Sequence, residues 1–546
     1  MSRVLEIVLC LSLEGWQPAG ASRARNAQRD FGAELGRAWR ICPQVKMRRG
    51  CERLTIEPCR LVEAEPSPGA QWRTWVETSA QGRRVVASRA QAFAPGVTLR
   101  ELFDAEHAGI VVAEPGADLA GPSGQAGETE QPEASGQPGQ PGQPGQPGQP
   151  APSAAVRLQL VSDRRRGHWA DDSGVMVELT LDDVTIHDGA SMRRHCELRL
   201  AAPDDATPDA RAAVLRALFA AARELSGAWP AFAQLASLID RACDGTLAAS
   251  APVKARLVDL TGIRTQRAAL FVLAGNVAEQ WLGNEAGVLA ADDPEFVHQM
   301  RVALRRLRTL MRLFPRYADD GWQQAFADDL RWLAGLLGTV RDWDVFSTQL
   351  LPALMAAGGN GTEDWGGTCD AARAQCAAAR VELRHALNSA RYARLTIGWL
   401  EWLSGFALPP IVTDDAPSLK RHVAKCVQRL FGRLYGVPAL ATLDAAARHR
   451  VRIDAKRLRY ALEFFASLAS RRTRSETVKT LAHVQTVLGD ANDTVIALHR
   501  LEQLGAPPYQ LGFVRGYGAA LQQHAVREGE ALLGALRPPK IAGKRN

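Results

Sequence analysis

The sequence predicts a multidomain α+β protein, β-rich in its N-terminal half and, beyond residue 250, all-helical and built from a duplicated unit. Period-two alternation of apolar residues before residue 200, helical periodicity rich in Ala, Leu and Arg after residue 250, and a repeat at a spacing of 151 residues lead to that prediction. Asp293, His298, Arg301, Arg305, Arg306, Arg308 and Phe314 return as Asp444, His449, Arg452, Lys456, Arg457, Arg459 and Phe465. The same spacing carries Gly338 onto Gly489 and Asp342 onto Asp493, so the register extends into a second helix.

Taken in order, Leu5-Ile7-Leu9, Trp72-Thr74-Val76, Val156-Leu158-Leu160 and Val175-Val177-Leu179 read as strands. Residues 19–40, 208–226 and 231–243 read as helices, which makes residues 1–245 an α+β domain. Residues 116–155 are rich in Gly, Pro, Gln and Ser, with five tandem Gly-Gln-Pro triplets at 136–150, and read as a solvated, disordered insertion. Five triplets are too few for a collagen helix. Residues 250–535 form the helical domain, followed by a basic tail at 536–546.

A chain of 546 residues with 46% hydrophobic content can bury sizeable cores. The net charge of +7 is unevenly shared: residues 1–250 hold 27 basic and 31 acidic side chains, and residues 251–546 hold 39 and 28. An odd count of nine cysteines without a CxxC pair points to reduced thiols and a cytoplasmic setting. The apolar run at residues 4–13 is broken by Glu6 and reads as a strand rather than a signal peptide, and no segment is long and apolar enough for a transmembrane helix. A soluble protein without a membrane partner is expected.

Asp293 before Pro294, and Asp444 at the matching place, are N-cap signatures that start the two repeat helices. At 100° per residue, His298, Arg301, Arg305, Arg308 and Arg312 share one narrow face, and Met300, Leu304, Leu307, Met311 and Phe314 the opposite one. The second copy sets His449, Arg452, Lys456 and Arg459 against Val451, Ala455, Leu458, Leu462 and Phe465. Like charges at i,i+4 cost a few tenths of a kcal/mol per pair, so two such rows without interleaved carboxylates imply a polyanionic partner. Lys420, Arg421, Lys425, Arg429 and Arg433 add a further basic helix that could extend the same groove. Asp342, Asp344, Asp490 and Asp493 read as capping or arginine-pairing residues near helix junctions.

His298-Gln-Met-Arg-Val-Ala-Leu-Arg-Arg-Leu-Arg, Arg341-Asp-Trp-Asp-Val, His449-Arg-Val-Arg-Ile-Asp-Ala-Lys-Arg-Leu-Arg-Tyr and Leu488-Gly-Asp-Ala-Asn-Asp, in that order, resemble the CHAD family over roughly residues 250–535. The resemblance implies two four-helix units related by pseudo-twofold symmetry and a basic groove that binds inorganic polyphosphate. It marks His298, Arg301, Arg305, Arg306, Arg308, His449, Arg452, Lys456, Arg457 and Arg459 as the anion-binding set. The N-terminal half resembles, on fewer residues, the CYTH or triphosphate-tunnel family, through Asp163-Arg-Arg-Arg, Glu178 with Asp182, and Cys196-Glu-Leu-Arg-Leu. It departs from that family where Glu-x-Glu-x-Lys is replaced by Glu6-Ile-Val8-Leu-Cys10 and the later Glu-x-Glu by Glu197-Leu-Arg199. Triphosphate hydrolysis needs carboxylates around a divalent metal. A degenerate tunnel with little or no turnover, no catalytic residue and no resident metal or cofactor is therefore expected.

The expected function is non-catalytic polyphosphate binding, with the protein at polyphosphate granules. One alternative is triphosphatase or polyphosphatase activity in the barrel, with Glu6, Glu178, Asp182 and Glu197 as metal-ligand candidates. The other is binding of nucleic-acid backbones, disfavoured because the stripes contain few aromatic residues for stacking apart from Tyr460. Oligomeric state is open.

Overall fold

The computed structural model describes residues 2–13, 31–59, 61–63, 71–104, 111–112, 158–172, 174–189, 191–247, 251–358, 365–410, 417–437 and 439–541. The Gly/Pro/Gln-rich insertion, the first part of the helix expected over 19–40 and the last residues of the basic tail lie outside these.

The N-terminal half contains β1 (Ser2–Leu11), α1 (Phe31–Ala38), β2 (Val45–Met47), β3 (Glu52–Cys59), β4 (Leu61–Glu63), β5 (Gln71–Ser79), β6 (Gly82–Ala94), β7 (Val97–Asp104) and β8 (Val111–Val112). It continues through β9 (Leu158–Ala170), β10 (Met176–Asp188), β11 (Ser191–Pro203), α2 (Pro208–Ala228), β12 (Ala231–Gln234) and α3 (Leu238–Cys243). Eight strands pair antiparallel in the order β3-β5-β6-β7-β1-β11-β10-β9, and β9 pairs back to β3, closing a barrel. β2 and β12 add to β9 and β1, and β4 pairs with β8 in a separate ribbon.

Alternation sorts the side chains across the barrel wall. Leu5, Ile7 and Leu9 face outward into a core shared with Leu218, Ala222 and Leu225 of α2, while Glu6 and Cys10 take the opposite face. The inward face holds a second apolar cluster of Leu54, Ile56, Trp75, Val86, Leu160, Val184 and Ile186, joined by Leu238, Ile239 and Ala242 of α3. Residues 231–243, expected as one helix, are a strand and a short helix. Ala231–Gln234 meets the free end of β1, and Ser237 caps α3 by accepting from the Asp240 amide at 3.2 Å.

The helical half comprises α4 (Gln266–Leu282), α5 (Glu285–Ala290), α6 (Pro294–Leu313), α7 (Asp320–Val345), α8 (Leu351–Ala357), α9 (Gly366–Leu387), α10 (Ala390–Ser404), α11 (Leu419–Tyr435), α12 (Ala445–Phe464), α13 (Val478–Gln503) and α14 (Pro508–Gly534). A shift of 151 residues lays α6 on α12 end to end, and the 3-10 turn Pro315–Tyr317 on Ala466–Leu468. It also brings α4, α7 and α9 onto the regions of α11, α13 and α14. Asp293 and Asp444 cap as expected, accepting from Glu295 N at 2.8 Å and Ala447 N at 2.6 Å. Phe314 and Phe465, equivalent and both fully buried, meet edge-on at 6.1 Å. α10 packs on α2, with Arg223 ion-paired to Glu401, so the two halves share one apolar core.

Candidate anion-binding site

α6 and α12 bury the faces their periodicity predicted: Met300, Leu304, Leu307, Met311 and Phe314 on one helix, Val451, Ala455, Leu458, Leu462 and Phe465 on the other. The opposite rows converge around Tyr460, whose ring carries the Arg305 guanidinium 5.9 Å from its centroid and that of Arg459 at 5.1 Å. Charge coupling across the seam is direct. Burial, then Arg452, Arg305 and Arg301, pull the Lys456 ammonium from 10.5 down to about 8. Arg312 likewise faces Arg457.

The protein's own acids neutralise part of this cluster. Arg301 lies 3.5 Å from Asp342, which also approaches Arg500 at 3.7 Å. Arg459 pairs with Glu463, and Arg457 with Asp454, both at 2.9 Å. Among the described residues Arg305, Arg308, Arg312 and Lys456 form no ion pair, and Nε of Arg305 is buried without a hydrogen-bond partner. Burial depresses the Arg305 guanidinium, with Arg301 and Arg459 acting in the same direction.

One glycine of the repeat now has a physical reason. A Cβ at Gly338 would lie 2.7 Å from Nη1 of Arg301, and one at Gly489 would lie 3.6 Å from Nη2 of Arg452. Each glycine faces the arginine of the preceding repeat helix, but only Gly338 is required by space, since 3.6 Å at Gly489 is an ordinary van der Waals contact.

Several expected residues stand apart. Arg306 is only 6% exposed; it donates to Gln280 at 2.6 Å and Asn276 at 2.8 Å and lies over Phe464, so it braces the core behind α6 rather than joining the outward row. His298 is half-buried, and burial, then Arg341, push its pKa below the ordinary imidazole value, while His449 is exposed. Lys420, Arg421, Lys425 and Arg429 are exposed on α11, and no ion pair or ring contact among the described residues links them to the seam; only Arg433 reaches it, 3.9 Å from Asp454. Asp342 and Asp344 lie in the last turn of α7 and pair with arginines as expected, Asp344 buried against Arg380 at 2.7 Å, whereas Asp493 lies well inside α13 rather than near a junction. The side chain of Asp490 lies outside the described residues. Sequence reasoning missed Arg500, which stacks on Trp343 at 4.5 Å. Its counterpart in the first unit is Gln349, so the repeat gave no signal.

Inside the barrel the carboxylates face arginines. Arg100, fully buried, donates to Glu6 at 3.1 Å and to Asp240 of α3 at 2.6 Å, and Arg73 joins Asp244 at 2.8 Å. Arg164 binds Asp182 at 2.7 Å and Glu77 at 3.1 Å, with Arg199 also on Asp182 at 3.1 Å. Although burial raises both acids, Arg164 and Arg199 hold Asp182, and Arg100 holds Asp240, at about 2. Glu197 accepts the Leu238 amide at 2.6 Å, and burial lifts it to about 7; burial lifts Cys10 to about 12. Glu178 is exposed, and Arg166 is 54% exposed. Among the described residues no cluster of three His, Cys, Asp or Glu side chains is placed to hold a metal.

The family model for the CHAD domain matches residues 273–502. An uncharacterized protein of Mycobacterium tuberculosis (strain CDC 1551 / Oshkosh) is 30% identical over 255 residues, 43% of this chain and 45% of that protein, so the match spans less than half the relative's own length. The crystal structure of the CHAD domain from the plant Ricinus communis shares 32% identity, covering 54% of this chain and 100% of that one at a TM-score of 0.45. An adenylyl cyclase candidate from Hippeastrum with a dominant triphosphatase activity shares 10% identity over 45% of this chain and 97% of that one, at a TM-score of 0.21.

Proposed function

We propose, for a chain whose residues 273–502 are a CHAD domain, that it binds inorganic polyphosphate along the seam between α6 and α12. The observation that carries this reading is the meeting of two cation rows at Tyr460, where Arg305 and Lys456 form no ion pair among the described residues and Asp493 offsets only part of the repulsion that the arginines exert on Lys456. A linear polyanion relieves that repulsion without having to break an ion pair at either position. Arg301 to Arg308 spans about 10 Å of helix, so one row meets several phosphates and many modest contacts act together. Arginine suits the task because its planar fork donates paired hydrogen bonds to phosphate oxygens and stays charged.

The role is binding rather than turnover, with the barrel as scaffold: α3 and the arginine pairs fill its interior, and α2 and α10 fix it to the helical half. Tyr460 is 6% exposed and already carries two guanidinium groups, which favours a ligand without bases to stack. Competition tests the choice. Long-chain polyphosphate should remain bound when duplex DNA is added at matched phosphate concentration, and displacement by the DNA would favour a nucleic-acid backbone instead. In cells, a fluorescent fusion should gather on polyphosphate granules, and diffuse signal despite abundant granules would count against that location.

A further inference from the structure

Asp342 stands between cations from both repeat units. Its Oδ1 lies 3.5 Å from Nη1 of Arg301 on α6, and its Oδ2 lies 3.7 Å from Nη2 of Arg500 on α13. Both separations exceed a good hydrogen bond, whereas Arg457 on Asp454 and Arg459 on Glu463 are closed at 2.9 Å. Arg301 is 30% and Asp342 32% exposed, so water screens this loose pair and little holds it. Arg500 is anchored differently. Its guanidinium lies 4.5 Å from the centre of the buried Trp343 ring, its Nη1 donates to Gln503 at 2.7 Å, and its Nε is buried without a hydrogen-bond partner. Only 12% of the side chain is exposed, so it stands behind the cation row and an incoming phosphate chain meets Arg301 first. The first unit has no mirror image of this contact: Gln349, the equivalent of Arg500, is exposed on Phe346–Leu350, a turn wound as a π-helix where α13 remains α-helical.

These contacts give Asp342 two places to rest. Phosphate oxygens that take the Arg301 guanidinium also repel the carboxylate, and Arg500 stands 3.7 Å away to receive it. We propose that Asp342 is a resident counter-ion of the seam, displaced from Arg301 by the ligand, and that Arg500 is the positioning residue that takes it up. This rests on the reading of the α6–α12 seam as a polyphosphate site. Without Arg500 the carboxylate would close on Arg301 and compete with the ligand. With Arg500 in place, the empty seam keeps a counter-charge that moves aside by a short shift of one side chain.

Titration of the full chain with long-chain polyphosphate over a range of salt concentrations tests this. Asp342→Asn should tighten binding about fivefold and steepen the fall of log affinity with log salt by about one, because Arg301, still in its place over Gly338, then pairs with phosphate alone. Arg500→Gln, which matches the first unit, should weaken binding by a similar factor, and Arg500→Lys, which keeps the charge, should restore most of it. In the Asp342→Asn background Arg500→Gln should have no effect, which separates a positioning role from direct phosphate contact. A folded Asp342→Asn variant with unchanged affinity and salt slope, or an Arg500→Gln loss that persists in the Asp342→Asn background, would overturn the proposal and leave the seam standing. Failure of both the unaltered chain and Asp342→Asn to bind polyphosphate would overturn the seam and the displacement with it.

Discussion

A methyl group added at Gly338 would lie 2.7 Å from the Arg301 guanidinium, the mobile end of a long side chain. Gly338→Ala should therefore displace Arg301 from Asp342 without unfolding α7, weakening polyphosphate binding several-fold at an unchanged melting temperature. Gly489→Ala, whose added carbon would meet Arg452 at an ordinary 3.6 Å contact, should change affinity much less, and equal effects would contradict this use of Gly338. Lys456 gives a pH signature. Its pKa falls from 10.5 in the unfolded chain to about 8 in the fold, so between those values the unfolded chain holds the extra proton and the ligand-free protein gains stability as pH rises. A polyanion returns that proton, so affinity should fall as pH rises through 8, and Lys456→Arg should flatten the profile; an unchanged slope in that variant would assign the dependence elsewhere. At this scale the sequence was legible wherever helical geometry decided the outcome. The wheel already left Arg306 off the charged row, and only the motif placed it among the ligands. Its amide partners Gln280 and Asn276 lie on α4, beyond the reach of local periodicity.

At the scale of the element, the helix expected over 231–243 survives only as α3, and local pattern could not place its start. Six residues offer no period to read, and what holds the helix is remote: Arg100 of β7 and Arg73 of β5 on Asp240, and Glu197 of β11 on its first amide. β12 was misread for the same reason, since its partner β1 lies more than two hundred residues upstream. The long barrel strands and the repeat helices were legible because each buries one face along its length. Asp240→Ala would leave Arg100, 1% exposed, with Glu6 as its one acid and the Ser88 hydroxyl beside it, and should cost roughly 3 kcal/mol in denaturant unfolding. A loss below about 1 kcal/mol, the range of a surface pair, would show that α3 does not anchor the barrel. Asp182 and Asp240, ordinary at 3.8 when unfolded and about 2 when folded, should also make the barrel lose stability as pH falls across that interval.

For the whole molecule, charge and architecture divide along the same line: the mildly acidic half closes into a barrel whose buried acids face arginines, and the basic half leaves Arg305, Arg308, Arg312 and Lys456 without ion pairs among the described residues on α6 and α12, with further exposed cations on α11. The duplicated cations announced that seam in the sequence, but not that α10 would fasten the two halves together. Binding of long-chain polyphosphate by the protein with both Arg305→Ala and Lys456→Ala, compared with the unaltered chain, tests the seam most directly. These side chains make no ion pair within the fold among the described residues, so their loss should leave the melting temperature near its original value and lower affinity by more than about tenfold, or 1.4 kcal/mol. Affinity unchanged in a folded double variant would contradict the account.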